Sequence, residues 1–176
     1  MTEEWRPIEG FEGYYSVSSI GRVRSESRVV SDGRGGLRAY KSRYMKTPVD
    51  QDGYQKVTLC RDGGRKNGMV HKLVAHAFHG PRPSPGHEVC HGDGKRTNNA
   101  EGNLRWGTFK ENQADRVQHG TDPAGERNPS ARLTSAQARL IGKLKGQFST
   151  RELARMFAVS RHTIAGIFNS RKWATA

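Results

Sequence analysis

The chain has 176 residues, an apolar fraction of 33%, and a net charge of +13 at pH 7 with a pI near 10.3. These values allow one ordinary domain or two small ones, argue against a single large core, and point to a polyanionic partner, because each Lys or Arg that neutralises a phosphate releases condensed counterions. No apolar run approaches the roughly 20 residues that span a bilayer, and the start Met1-Thr2-Glu3-Glu4-Trp5 has neither a basic lead nor an apolar signal core, so a cytoplasmic protein with no membrane role is expected.

Residues 1–60 are punctuated by Gly, Ser and Asp, with short β-branched and aromatic runs at Tyr14 to Ser18, Gly21 to Arg24 and Gly53 to Leu59, a pattern of short strands joined by turns. Trp5, Ile8, Phe11, Tyr15, Val17 and Val23 are the expected core of this sheet, and Arg22, Arg24 and Arg28 its exposed basic rim. Ser31 to Gly36 reads as a surface loop. From His71 to His79, Leu73, Val74, Ala77 and Phe78 fall on one helical face, with His71, His76 and His79 in structural roles. Pro81, Pro83 and Pro85 then end the helix.

A second helix is expected from Thr108 to about His119, with Thr108 or Gly107 near its N-cap and Gly120 ending it. The Gly- and Pro-rich stretch after it makes residues 120–132 a linker between a unit at 1–119 and another at 133–176. Three helical segments follow. Thr134 caps the first, Ser149 or Thr150 caps the second from Arg151 to Phe157, and Ser160 caps the third from Arg161 to about Asn169. The last two, separated by Ala158-Val159-Ser160, read as a helix-turn-helix. Net charge rises from +2 through +4 to +7 over residues 1–60, 61–120 and 121–176, so phosphate is expected to bind most strongly to the last third.

The chemistry concentrates between Glu88 and Asn112. Hydrolysing a phosphodiester needs a base for the attacking water and a cation for the charge that builds on phosphate oxygens. His91 is the motif's candidate general base, since its reference pKa near 6.5 leaves it largely neutral at pH 7. Asn112, on the first turns of its helix, offers a hard amide oxygen suited to Mg²⁺ or Mn²⁺, with Zn²⁺ the lesser alternative. Cys60 and Cys90 are too few for a disulfide framework or a four-cysteine zinc site, and no Cys-x-x-Cys pair supports a mixed one. No small-molecule cofactor is expected.

His91-Gly92-Asp93-Gly94, Asn98-Asn99, Asn103-Leu104-Arg105-Trp106 and Asn112, in that order, resemble the HNH motif of phage homing endonucleases. The opening Trp5-Arg6-Pro7-Ile8-Glu9-Gly10-Phe11 and the stretch Val70-His71-Lys72-Leu73-Val74-Ala75 carry the same resemblance, which covers nearly the whole chain. It implies an α+β fold of small antiparallel sheets with a ββα-metal core at about residues 88–119, beside an all-α helix-turn-helix domain, in an elongated molecule. It further implies that His91 is the general base, that Asn103 braces the catalytic loop, and that Asn112 binds the metal. In the family an Asp precedes the histidine and shares the metal. Here Cys90 stands there. Cys90 is then a thiolate ligand for a softer ion, or Asp93 or water replaces the carboxylate, or the ion leans on Asn112 and DNA phosphates; the last two are favoured together.

The expected partner is double-stranded DNA, bound by a monomer that nicks one strand. In a helix-turn-helix the second helix enters the major groove, so Arg161 is the expected base reader, with His162 and Asn169 secondary. Lys143, Lys172, Arg22 and Arg24 are expected phosphate contacts. The competing reading is a non-catalytic DNA-binding regulator with a degenerate nuclease domain; a basic RNA-binding protein lacks an evident stacking platform.

Overall fold

The computed structural model describes residues 2–31, 33–121 and 125–169, which divide into two compact units, Met1–Gly120 and Thr121–Ala176. In the first unit β1 (Trp5–Pro7), β2 (Tyr15–Ser18) and β3 (Val23–Ser25) run antiparallel in sequence order. A hairpin of β4 (Arg28–Ser31) and β5 (Leu37–Tyr40) follows, and β6 (Arg43–Tyr44) returns to pair with β3. The stretch read as a surface loop from Ser31 to Gly36 is thus the closed end of a hairpin, which lacks a buried face to announce it: all of β5 is exposed.

β7 (Lys56–Arg61) and β8 (Gly64–Met69) form a second hairpin. Its two-residue turn, Asp62-Gly63, has φ of 51° and 78°. Positive φ at both central residues defines a type I′ turn, whose twist matches the flanking strands and for which Asp-Gly is a preferred pair. β8 leads directly into α1 (Val70–His79). The buried residues of α1 are Val70, His71, Val74 and Ala75, while Leu73, Ala77 and Phe78 are partly buried. The helix is therefore rotated from the face expected, and His71 lies inside.

β9 (His87–His91) pairs antiparallel with β10 (Leu104–Thr108), His91 opposite Leu104 and Cys90 opposite Arg105. α2 (Phe109–Gln118) starts at Thr108, whose hydroxyl accepts from the Glu111 amide while Glu111 reaches back to the Thr108 amide. That capping box satisfies two otherwise unpaired N–H groups and fixes where the helix leaves the strand. One hydrophobic cluster joins Ile8, Phe11, Tyr15, Val17 and Val23 to Val57 and Leu59 of β7, Val70 and Val74 of α1, and Leu104 of β10. Trp5 is only half-buried, with the Arg24 guanidinium 4.2 Å above its ring, so it covers the sheet rather than filling the core.

The second unit holds α3 (Ser135–Lys143), α4 (Thr150–Met156) and α5 (Arg161–Phe168), N-capped by Thr134, Ser149 and Ser160. Leu133, Ala138, Ile141, Leu153, Ala154, Ile164 and Ile167 form its core. Between α4 and α5 the chain reverses through Ala158, in the left-handed region at φ 51°. Within the expected linker, Glu126 is tied to this unit, accepting a 2.9 Å hydrogen bond from the Ser135 amide. Among the described residues no helix is long and apolar enough to cross a membrane.

Candidate active site

His91 ends β9 with its ring turned inward. It packs edge-on against His71 at 5.3 Å between centroids, with Tyr54 at 6.2 Å. Its Nε2 lies 3.3 Å from Asn99 Oδ1, and Asn99 Nδ2 donates at 2.6 Å to Gln55 Oε1. The second contact decides the first: with its amide hydrogens committed to Gln55, Asn99 offers only a carbonyl oxygen, so His91 Nε2 carries the proton and Nδ1 carries the lone pair. Burial pushes the His91 pKa below its ordinary value, and Arg96 adds to this, against the opposing hydrogen bond to Asn99 and the charge of Asp93. A neutral imidazole with one nitrogen anchored and the other basic is the state a general base requires.

The loop between β9 and β10 is held by its own side chains. Asn103 accepts from the Asp93 amide at 3.0 Å through Oδ1 and donates through Nδ2 to Asp93 Oδ1 at 3.0 Å and to the Asn98 carbonyl at 2.8 Å. Its backbone carbonyl accepts from Gly92 N at 2.8 Å. Asp93 also accepts from Asn98 Nδ2 at 2.7 Å and from the Lys95 amide at 2.9 Å, and these donors draw its pKa down to about 2. Both carboxylate oxygens of Asp93 are therefore engaged within the loop, and the structure does not bring this residue to Asn112 as a replacement ligand. His119, capping the end of α2, meets the Gly92 carbonyl at 2.9 Å. The loop is also pinned from outside: the Glu101 amide donates to Ser19 O at 2.8 Å, and a Cβ built on Gly21, at φ +85°, would stand 2.7 Å from Asn99 Cβ.

Side chains alternate across a strand, so Cys90 faces away from His91, toward α2. Its thiol is 1% exposed and packed so closely on Gly107 that a Cβ there would stand 2.8 Å from Sγ. Burial raises its pKa, against the pull of Arg105. A protonated, enclosed thiol is a poor ligand for a hard cation, so Cys90 does not fit the role of metal ligand. Asn112 is half-buried on α2, and its Nδ2 lies 3.3 Å from Glu88 Oε2. No group of three or more His, Cys, Asp or Glu side chains converges for a metal among the described residues. A closed protein cage is absent, whereas an ion that keeps waters and uses substrate phosphates, as Mg²⁺ does, fits the oxygen of Asn112.

Of the residues expected to meet DNA, Arg161, His162, Asn169 and Lys143 are exposed. Lys172 lies outside the described residues. The rim of the first sheet is not free as expected: Arg22 is bound to Glu3 and Arg24 to Glu26, because acids sit within reach on adjoining segments. Instead a groove of about 860 Å³ opens beside the β4–β5 hairpin, lined among others by Arg28, Arg38, Lys41, Arg43, Arg61 and Tyr40.

The β9–β10–α2 unit, with a buried histidine at the strand end and an asparagine on the helix, places the chain in the HNH homing endonuclease family, to which it belongs. The model of the HNH endonuclease family matches residues 69–114 and that of the NUMOD4 motif residues 3–60. Among its relatives is the DNA endonuclease I-HmuI of Bacillus phage SP01, 34% identical over 148 residues that span 82% of this chain and 68% of that protein. An uncharacterized HNH endonuclease, L245, of Acanthamoeba polyphaga mimivirus is 32% identical over 120 residues, 68% of this chain and 32% of its own length. The solved structure of I-HmuI, described as DNA binding and cleavage by the HNH homing endonuclease, superposes with a TM-score of 0.54 at 28% identity, covering 96% of this chain and 91% of that one.

Sequence reasoning missed His71, Asn99, Gln55 and His119, all of which touch the loop or its histidine. Asn99 enters the motif only as part of Asn98-Asn99, with no role of its own, yet it is 2% exposed, and a fully buried amide must find partners.

Proposed function

We propose that this protein is a site-directed, divalent-metal-dependent DNA endonuclease that hydrolyses one strand of a duplex as a monomer. The observation that carries the reading is the Gln55–Asn99–His91 relay, which presents a neutral imidazole with a free Nδ1 on the ββα unit that also bears Asn112. His91 Nδ1 takes the proton of the attacking water. Asn103 holds the loop that sets the height of His91. Asn112 would hold a Mg²⁺ or Mn²⁺ ion together with water and DNA phosphates, and the ion would supply positive charge to the phosphate oxygens and the departing 3′-oxygen. One such unit per chain supports cutting one strand per binding event.

The second unit supplies the address. We read α4, the turn at Ala158 and α5 as a helix-turn-helix, whose second helix buries Ile164 and Ile167 and exposes Arg161, His162 and Asn169. Arg161, first in α5, reads guanine with two hydrogen bonds in this proposal, and Lys143 at the end of α3 meets phosphate. The basic groove beside β4–β5 adds backbone contacts of its own.

The test is conversion of supercoiled plasmid to open circles in Mg²⁺ and in Mn²⁺, with EDTA and His91→Ala as controls. Cutting that needs the ion and falls by about 10²–10⁴ in His91→Ala is expected of a lost general base. Binding without cutting in any metal would establish the regulator reading instead, and cutting undiminished in His91→Ala would remove His91 from the mechanism.

A further inference from the structure

We propose that Glu88 supplies the carboxylate for the divalent ion, in place of the residue that stands before His91. The inference deepens the nuclease reading above and rests on it. Residues two apart on a strand share a face, so Glu88 and Cys90 both point toward α2. Cys90 is sealed beneath Gly107, but Glu88 is farther out along the same face and exposed. There Glu88 Oε2 is 3.3 Å from Asn112 Nδ2, the side chain already assigned to the ion.

That pairing is a natural pair of hard donors. The Asn112 amide has an oxygen at one end and a nitrogen at the other, and half a turn about its last bond presents Oδ1 where Nδ2 now stands. Two oxygens bound side by side to one octahedral Mg²⁺ at about 2.0–2.1 Å lie roughly 2.9 Å apart, so the present separation has to close by only a few tenths of an ångström. One charged and one neutral oxygen then face the ion, and the open positions go to water and phosphate.

The other acids near this face are occupied. Glu111 Oε2 accepts from the Thr108 amide at 2.7 Å and from its hydroxyl at 2.8 Å, closing the helix cap. Asp115 pairs with Arg105 at 2.5 Å. Asp93 is tied into the loop by Asn98, Lys95 and Asn103. Among the described residues Glu88 forms no ion pair, and its carboxylate accepts from Asn112, the residue with which it would share the metal. The substitution of Cys for the family Asp thereby moves the carboxylate along the strand by one pleat and leaves the face unchanged.

Titration of the full chain with Mn²⁺, followed by the EPR signal of the free ion, tests this. Wild type is expected to show one saturable site, weakened about tenfold or more in Glu88→Gln, because loss of even an outer partner of a metal site commonly costs about 10–100-fold in affinity. Glutamine keeps an oxygen that accepts from Asn112, so a purely structural role for Glu88 predicts no change. Glu88→Gln combined with Cys90→Asp is expected to recover most of the affinity by returning a carboxylate to the same face. Equal Mn²⁺ affinity in wild type and Glu88→Gln, or no saturable binding by wild type, overturns the assignment. Plasmid cutting measured in parallel separates the failures: cutting that persists alongside either result leaves the nuclease reading intact, whereas no cutting in any metal overturns that reading itself.

Discussion

Acid should destabilise the first unit through His71 in particular. The residue is 6% exposed, its ring sits 4.9 Å from Tyr54 and 5.3 Å from His91, and its Nδ1 is buried with no hydrogen-bond partner. Burial first, then the neighbouring His91 and Lys72, hold its pKa down to about 4, with Asp50 opposing. In the unfolded chain the group returns to about 6.5. Because the folded pKa is the lower, the unfolded state takes up the proton first. The stabilisation is therefore complete above about pH 6.5 and is lost as pH falls from there through 4. At about 1.4 kcal/mol per unit, a gap of about 2.5 units amounts to roughly 3 kcal/mol, of which about 2 are gone by pH 5. That is a large part of a typical domain stability of about 5–15 kcal/mol. Urea unfolding of the full chain at pH 7, 6 and 5, followed by tryptophan fluorescence, measures it against His71→Phe, which keeps a ring of similar size and cannot charge. The wild type should lose about 2 kcal/mol more than the variant over that range. Parallel pH dependences in the two proteins would refute the reasoning.

Three further outcomes are expected. Since the His91 pKa is held below 6.5 by burial, initial plasmid-cutting rates should rise with a midpoint below pH 6.5 and level off through neutral pH; a midpoint above 7 contradicts a buried neutral base. Gly21→Ala should lower stability by about 1–3 kcal/mol and depress cutting as well, because its Cβ meets Asn99 at 2.7 Å and the backbone there has φ +85°; unfolding and nicking assays on one preparation report both effects. Arg161→Ala should relax the preference among binding sites, whereas Lys143→Ala should weaken all duplexes alike and flatten the salt dependence of binding; competition binding at several salt concentrations distinguishes them, and an unaltered preference in Arg161→Ala argues against α5 as the reading helix.

What could be read from the chain depended on how local the cause was. The caps at Thr108, Thr134 and Ser160 are written within four residues of their helices, and the order of His91, Asn103 and Asn112 is written within one short segment. The partners of His91 are not local. Gln55 lies 44 residues from Asn99, and His71 comes from a helix whose sequence offers several competing apolar faces. The β7–β8 hairpin, in contrast, carried its signal openly in Asp62-Gly63 and was obscured by the polar sequence of β8. Asp93 carries two competing local signals. Its position beside the histidine suggested a ligand, but an Asp two residues before a free amide commonly turns back to accept from it, and here the Lys95 amide is that donor. The pairing of Arg22 with Glu3 and of Arg24 with Glu26 is likewise not announced by charge alone.

The sharing of one core by the two family motifs bears on how such enzymes can be recombined. The segments at 3–60 and 69–114 look separable as sequences, yet Val17, Leu59, Val74 and Leu104 are packed in a single cluster, and the turn at Gly21 rests on the nuclease loop at Asn99. A chimera spliced between residues 60 and 69 would cut through that cluster and leave each half with an apolar face designed for a lost neighbour. Grafting should succeed only as a block through Gly120, with the exchange of address made beyond it. For this chain the smallest transferable nuclease is thus well over twice as long as its signature motif suggests, a limit set by packing rather than by chemistry.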